Sequence, residues 1–362
     1  MNFNEIVMLV VAVFFVLGCI DKCLGNKFIV GEALDEGFAF MGPVALGIIG
    51  IICLSPVLAN LLEGIIVPFY QMLGADAAMF SPTFLSADSG GYAIAKQLST
   101  DQELVDFAGL IVGCLVGPII SFNIPVAIGM IKKEDVKYFA IGILGALIAA
   151  PFGCLAGGVV SGISVGKVVK NLVPIFIFVI IMALLLYFAS NVMIKIFSGF
   201  AKLMSCIIVI GLAVAAFTNL TGNVVIEGME EIATGFITTG VVTLIIAGAF
   251  SLARVIEKVF AKPLHAAAEK TGMNDTAVSN LIISLVTALP AFALYDKMNT
   301  KGKIVFAAFA GSVAYIIGPH LGFVSATNKD MILPMFTAKI VAGIIAITLS
   351  VFFGKRMFKE EM

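Results

Sequence analysis

Nine stretches of this chain are apolar for long enough to cross the ~30 Å hydrocarbon core of a bilayer. They fall near residues 5–20, 37–62, 104–130, 138–165, 171–190, 192–218, 232–260, 302–325 and 333–354. The chain is 60% hydrophobic and 12% charged, where soluble domains carry about 25% charged residues. These features read as an all-α polytopic membrane protein. The net charge of −1 supplies no electrostatic footprint for nucleic acid. The opening stretch "MNFNEIVMLVVAVFFVLGCI" has neither a basic n-region nor a small-residue cleavage site, so it reads as a retained helix.

Two further segments, 76–98 and 275–298, are apolar but interrupted. The first contains Pro82, Asp88, Gly90 and Gly91; the second contains Asn280, Ser284, Thr287 and Pro290. Each is followed by a span with a Gly-Pro pair, "GPIISF" at 117–122 and "GPHLGF" at 318–323. The order of features repeats, which predicts an internal duplication. Charge then sets topology through the excess of Lys and Arg on cytoplasmic loops. Clusters at Lys132, Lys133 and Lys137, at Lys195 and Lys202, at Arg254, Lys258 and Lys262, and at Lys355, Arg356 and Lys359 are expected inside. Glu227, Glu230 and Glu231 are expected outside. Lys297, Lys301 and Lys303 join the cytoplasmic set only if both interrupted segments turn back as re-entrant hairpins, and the stretch with Asp101, Glu103 and Asp106 then faces out. The result is an inverted repeat of about nine spans plus two hairpins, N-terminus outside and C-terminus cytoplasmic. Repeat one covers 1–165, a linker span 166–191, and repeat two 192–362. Lys167 and Lys170 are exceptions, left outside.

Non-helical backbone at membrane depth persists only where protein or a water-filled cavity satisfies it. Hairpin tips meeting at the midplane would make such a cavity, with Gly90, Gly91 and Pro290 breaking the hairpins. Gly117-Pro118 and Gly318-Pro319 would give the span after each hairpin an unwound middle, or merely kink it. Asp88 is the sharpest residue, because an intramembrane acid is a functional signal by default. The bland alternative is a structural cap satisfied by backbone amides. Ser86 and Ser89 can share either role. Asn123 and His320 lie at the Gly-Pro breaks. Asn280, Ser284 and Thr287 occupy the second hairpin. Tyr92 and Tyr295 offer ring faces to an ammonium or anchor at the interface. Glu63 faces an aqueous mouth or marks the interface. The six cysteines lie in apolar runs without CxxC spacing, and with only His265 and His320 no multi-histidine metal site is expected. No cofactor is expected either.

The stretch "PVLANLLEGIIVPFYQMLGADAAMFSPTFLSADSGGYAIAKQL", residues 56–98, resembles the ethanolamine-utilisation permease family. The resemblance rests on Glu63 closing the second span, Leu73 to Asp76 followed by Met79-Phe80, and Asp88 just before Gly90-Gly91. Ser89 stands where the family pattern has Met. The resemblance implies uptake of ethanolamine across the bacterial plasma membrane, and no binding site is carried over with it. The residues themselves suit a small primary amine with one hydroxyl: Asp88 for the ammonium, and Asn123, Asn280 or Thr287 for the hydroxyl. A homodimeric, lipid-embedded carrier working by alternating access follows by analogy. The rival readings are an ion-coupled carrier for another small solute and a channel for the neutral amine. A membrane enzyme is disfavoured, since no nucleophile–His–acid set appears.

The hairpin reading has a direct test. Single cysteines at 74 and 99 are expected to label from one side of the membrane, and those at 272 and 300 from one side likewise. Labelling of either pair from opposite sides would make that segment a full crossing.

Overall fold

The computed structural model describes residues 1–359, with the side chains of 186–187, 189–194, 197, 257, 260–265 and 267–269 outside the description. Among the described residues all regular structure is helical. Helices α1 (Phe3–Cys23), α2 (Val30–Ala39) and α3 (Met41–Met72) open the chain. Short helices follow: α4 (Phe80–Phe84), α5 (Gly91–Leu98), α6 (Gln102–Asp106), α7 (Gly113–Leu115) and α8 (Ile124–Met130). Three long helices come next, α9 (Val136–Val160), α10 (Val165–Thr221) and α11 (Ile232–Thr271). The chain closes with α12 (Asp275–Ser284), α13 (Leu289–Ala293), α14 (Thr300–Ala310), α15 (Pro319–Thr327) and α16 (Ile332–Met357).

Eight stretches among the described residues are long and apolar enough to cross a membrane: Phe3–Cys23, Val30–Met72, Gln102–Met130, Lys133–Val160, Val165–Leu185, Ser198–Thr221, Ile232–Ile256 and Lys329–Met357. Eight of the nine expected runs coincide with them. The ninth, 302–325, is not one helix. It is α14 and α15 separated by turns at 311–318. Tyr315 there adopts a left-handed backbone, with φ of 67°. The runs 171–190 and 192–218 both belong to α10, which also covers the expected boundary at 191/192. That helix does not run straight. The rings of Phe178 and Phe200 both pack on Phe84, with centroids 5.1 and 6.3 Å away. A straight helix advances 1.5 Å per residue and would hold positions 22 residues apart at ~33 Å.

Both interrupted segments fold back on themselves. In the first, α4 ends at Leu85 in an extended conformation, a 3₁₀ turn spans Ala87–Ser89, and Gly90 takes a left-handed φ of 104° before α5. Its two ends meet the same end of α10. The amide of Asp76 donates to Asn171 Oδ1 at 2.7 Å, and Lys167 pairs with Asp101 at 2.9 Å and with Glu103. The ammonium of Lys167 holds the half-buried Asp101 carboxyl below the usual carboxylate range. This acidic pair balances a lysine that the loop charges alone left as an exception. In the second segment, Asn274 Nδ2 donates to the carbonyl of Lys297 and Asn299 Nδ2 to that of Gly272, both at 2.8 Å. The same two asparagines cap α12 and α14. Lys132–Asp296 (2.8 Å) and Lys303–Asp135 (2.5 Å) tie the end of this segment to the 131–135 loop. Asp296 is an exposed loop charge paired with Lys132.

Each turn seats on the Gly-Pro site of the span that follows it. A Cβ on Gly117 would lie 2.0 Å from the carbonyl oxygen of Leu85, and one on Gly318 would lie 2.1 Å from that of Val286. Only glycine admits so close a backbone approach. The two sites differ in one respect from the expectation of paired unwound middles. At Gly117-Pro118 the chain stays helical, with wide π turns at Phe107–Val112 and Ile119–Asn123 on either side. The wider turns accommodate the proline, which lacks a donor. At Gly318-Pro319 the helix opens fully. Elsewhere small residues let helices approach. α9 and α16 pack antiparallel, with Gly145 against Ser350 and Gly153 against the carbonyl of Ala338. Such interfaces are typical where lipid leaves no hydrophobic drive for helix association.

Alanine at Gly117 or Gly318 is expected to lower the detergent melting temperature, by about 1–3 kcal/mol of overpacking strain each. Gly64→Ala, where a Cβ meets nothing within 4 Å, is expected to leave it unchanged or higher. Equal melting of all three would refute the seating.

Candidate functional site

The 3₁₀ turn before Gly90 presents Asp88, half-buried, at the tip of the first folded-back segment. Ser86 Oγ donates to Asp88 Oδ1 at 2.5 Å and Ser89 Oγ to the same oxygen at 3.3 Å. Among the described residues no cationic side chain lies within ion-pair distance of it. The extended residue before the turn is held from outside, since Ser121 Oγ accepts from the amide of Ser86 at 3.2 Å while donating to the carbonyl of Gly117. The turn packs on α15, the helix that begins Pro319-His320.

Behind that contact is a buried polar chain. Tyr315 O–H donates to Asn123 Oδ1 at 2.8 Å, and Asn123 Nδ2 donates to the carbonyl of Ala310 at 2.8 Å. The Tyr315 ring meets His320 edge-on at 5.3 Å and Phe122 at 5.7 Å. His320 is buried, and among the described residues its Nδ1 has no hydrogen-bond partner. Asn123 and His320, nearly 200 positions apart, are therefore joined through a tyrosine that sequence reading passed over. The opened stretch 311–318 leans on the second tip, where the amides of Tyr315 and Ile317 donate to the carbonyls of Ser284 and Leu285 at 2.8 and 3.0 Å. Lys339, buried within α16, donates to the carbonyls of Ser312 and Ala314 at 3.1 and 2.9 Å.

The remaining candidates divide. Tyr92 does not reach Asp88. Its hydroxyl donates to Asp106 Oδ1 at 3.2 Å, and its ring packs on Phe323. Asp106 is buried, and also accepts from Gln102 and Asn328 at 2.7 and 2.8 Å. Asn280, Ser284 and Thr287 are buried. Ser284 Oγ donates to the carbonyl of Asn280 at 2.6 Å, Asn280 Nδ2 to that of Thr276 at 2.8 Å, and Asn280 Oδ1 has no partner. Thr287 Oγ1 receives the amide of Leu289 at 3.5 Å. Tyr295 is wholly buried, its hydroxyl on the carbonyl of Lys303, so it anchors nothing at an interface. Glu63 is exposed on α3, with no hydrogen bond or ion pair among the described residues. Pro290 starts the return helix α13. His265 lies in α11, its side chain outside the description. Lys339 and Asp106 carried the same signal that picked out Asp88, a charge within an apolar run. Tyr315 carried none. Among the described residues no three His, Cys, Asp or Glu side chains are grouped to hold a metal.

These features define an all-helical, multi-pass membrane protein whose polar side chains gather where its helices are interrupted. Comparison with known proteins makes this specific. The chain matches the family described as "Ethanolamine utilisation protein, EutH" over residues 3–353. It is 43% identical over 361 residues to the "Probable ethanolamine permease EutH" of Listeria monocytogenes serotype 1/2a (strain 10403S), covering 100% of this chain and 97% of that one. The protein of the same name from Escherichia coli (strain K12) is 34% identical over 385 residues, covering 96% and 94% of the two chains. "Uncharacterized protein YxeR" of Bacillus subtilis (strain 168) is 41% identical over 346 residues, again covering 96% and 94%. No solved structure matches the chain. The chain belongs to the EutH ethanolamine utilisation protein family, whose named permeases are transporters.

Asn123→Leu is expected to cost about 2–5 kcal/mol, because it strands a buried tyrosine hydroxyl and a buried carbonyl. Tyr315→Phe is expected to cost less, about 1–3 kcal/mol, because it strands one buried acceptor, Asn123 Oδ1, instead of two groups. Thermal or denaturant unfolding in detergent measures both, and equal losses would deny the linkage through Asn123.

Proposed function

We propose that this protein carries ethanolamine, as its ammonium form, across the plasma membrane by alternating access. One observation carries the reading. Asp88 gathers two serine hydroxyls on a single oxygen, has no cationic side chain in ion-pair range among the described residues, and sits in a turn packed on the helix that bears His320. A small organic cation would complete that charge, and its hydroxyl would donate to the unpartnered His320 Nδ1. The names of the relatives, probable ethanolamine permeases at 34–43% identity, support the same substrate. Ethanolamine is protonated at neutral pH much as a lysine side chain is. Burying two opposite charges gains attraction and loses hydration on both, which favours the modest affinity that release demands.

In this reading the segments 76–98 and 275–298 are re-entrant hairpins, and the chain is an inverted repeat, 1–165 and 192–362, joined by 166–191. Support comes from the shared ends of each segment and from the equivalent seating of Leu85 on Gly117 and Val286 on Gly318. The serine–aspartate turn, the Asn123–Tyr315–His320 chain and the polar groups of the second hairpin (Asn280, Ser284, Thr287) line the path. The two hairpins and two interrupted spans move against the other helices, within a homodimer, with the N-terminus outside and the C-terminus cytoplasmic. Tyr92 acts as a support through Asp106, and Glu63 serves the aqueous mouth.

Asp88→Asn keeps the shape and the serine contacts but removes the charge. It is expected to abolish uptake of labelled ethanolamine in proteoliposomes while the purified variant stays folded. Uptake at the wild-type rate would overturn the site assignment. Uptake that rises with pH toward the amine pKa, without saturation, would favour a channel for the neutral amine.

A further inference from the structure

We propose that the ammonium of Lys339 is a tethered occupant of a monovalent-cation site, and that it frees this carrier from any need for sodium. The site is the end of α14. Beyond Ala310 the chain leaves the helical path, and Tyr315 turns left-handed at φ 67°. The carbonyls of Ser312 and Ala314 thereby lie outside any helical ladder, since 311–318 forms turns. They lie just past a helix C-terminus, where the peptide dipoles concentrate partial negative charge and favour cations. Free carbonyls at a half-helix C-terminal end are the groups with which interrupted transporter helices coordinate Na⁺. Here both are taken by Lys339 Nζ, at 3.1 and 2.9 Å.

Lys339 is not part of an ion pair. It is 2% exposed, and among the described residues no carboxylate lies within ion-pair distance of it. The titratable groups close enough to interact with its charge are the thiols of Cys114 and Cys154 and the imidazole of His320. A lone buried lysine is costly and persists only where its donors are met. Two backbone carbonyls take two of its three N–H groups here, beside the negative end of the α14 dipole. The stem reaches this position from α16, whose neighbouring residue Ala338 is held against Gly153 and Gly157 of α9. The ammonium is therefore delivered by a packed helix pair and needs no capture from solution. Because 311–318 also carries the amides seated on the second tip, the state of this cation site sets the geometry beside His320.

The uptake test rests on the ethanolamine reading; the melting test does not. Purified protein is assayed in Na⁺, K⁺ and N-methylglucamine chlorides at equal ionic strength, by labelled-ethanolamine uptake in liposomes and by thermal melting in detergent without substrate. The wild type is expected to behave alike in all three. Lys339→Ala, which opens the site, is expected to lose about tenfold or more of its uptake in N-methylglucamine, and to regain uptake and melting temperature saturably with Na⁺. Lys339→Met fills the space without charge and is expected to stay impaired in every cation. A wild type that requires Na⁺ overturns the proposal, as does a folded Lys339→Ala variant that melts identically in all three salts. If no protein transports ethanolamine yet only Lys339→Ala melts higher in Na⁺, the substrate reading fails and the cation site stands. Lys339→Ala that is monodisperse only in Na⁺ counts in favour.

Discussion

Backbone hydrogen bonding away from water is the constraint on which this structure turns. A residue that leaves a helix inside a bilayer exposes an amide and a carbonyl that lipid cannot satisfy, at several kcal/mol each. The stretch 311–318 does this, and its partners come from distant parts of the chain. The second folded-back segment takes the amides of Tyr315 and Ile317, Lys339 takes the carbonyls of Ser312 and Ala314, and Asn123 takes that of Ala310. Removing any of these leaves an orphan group, so the core is mutually dependent rather than modular.

The same logic explains why polar residues are few and clustered. A side chain within an apolar run is retained where it meets backbone or another polar group, as Ser86, Ser89, Ser121 and Ser284 all do. Against that background the unpartnered atoms stand out. Among the described residues, His320 Nδ1, Asn280 Oδ1 and Ser325 Oγ are buried without hydrogen bonds, and groups of this kind in a native core call for an explanation. The proposed substrate, with its ammonium and hydroxyl, is offered as the partner of the orphan imidazole and of the Asp88 carboxylate, which has no cationic side chain in ion-pair range among the described residues.

Much of the helical framework was legible in the apolar runs, because span length is set by bilayer thickness and needs no tertiary information. Eight of the expected runs match stretches able to cross a membrane. Asp88 was legible too, as a charge where charge is costly. What escaped were features that depend on distant partners. Nothing local distinguishes Tyr315 from an interfacial tyrosine, yet it bridges Asn123 and His320. Tyr92 lies four positions from Asp88, but beyond the left-handed Gly90 it faces Asp106 and packs on Phe323. Gly117-Pro118 and Gly318-Pro319 look alike in sequence. One is absorbed by π turns and the other opens the helix, a difference made by which neighbours offer hydrogen bonds.

By itself the sequence determined that the chain is helical, that it lives in a membrane, where most of its membrane-length apolar runs lie, and that Asp88 is an acid within one of its apolar segments. Those follow from hydrophobicity and from the cost of charge in lipid, both properties of a residue and its near neighbours. Only the tertiary structure decided that Leu85 lies on Gly117 and Val286 on Gly318, that Lys339 fills the gap past α14, and that Asn123 reaches Ala310. These contacts join residues separated by tens to hundreds of positions. Their pairing is chosen by close packing and by the need to satisfy each buried polar group, conditions met only when the whole chain is assembled.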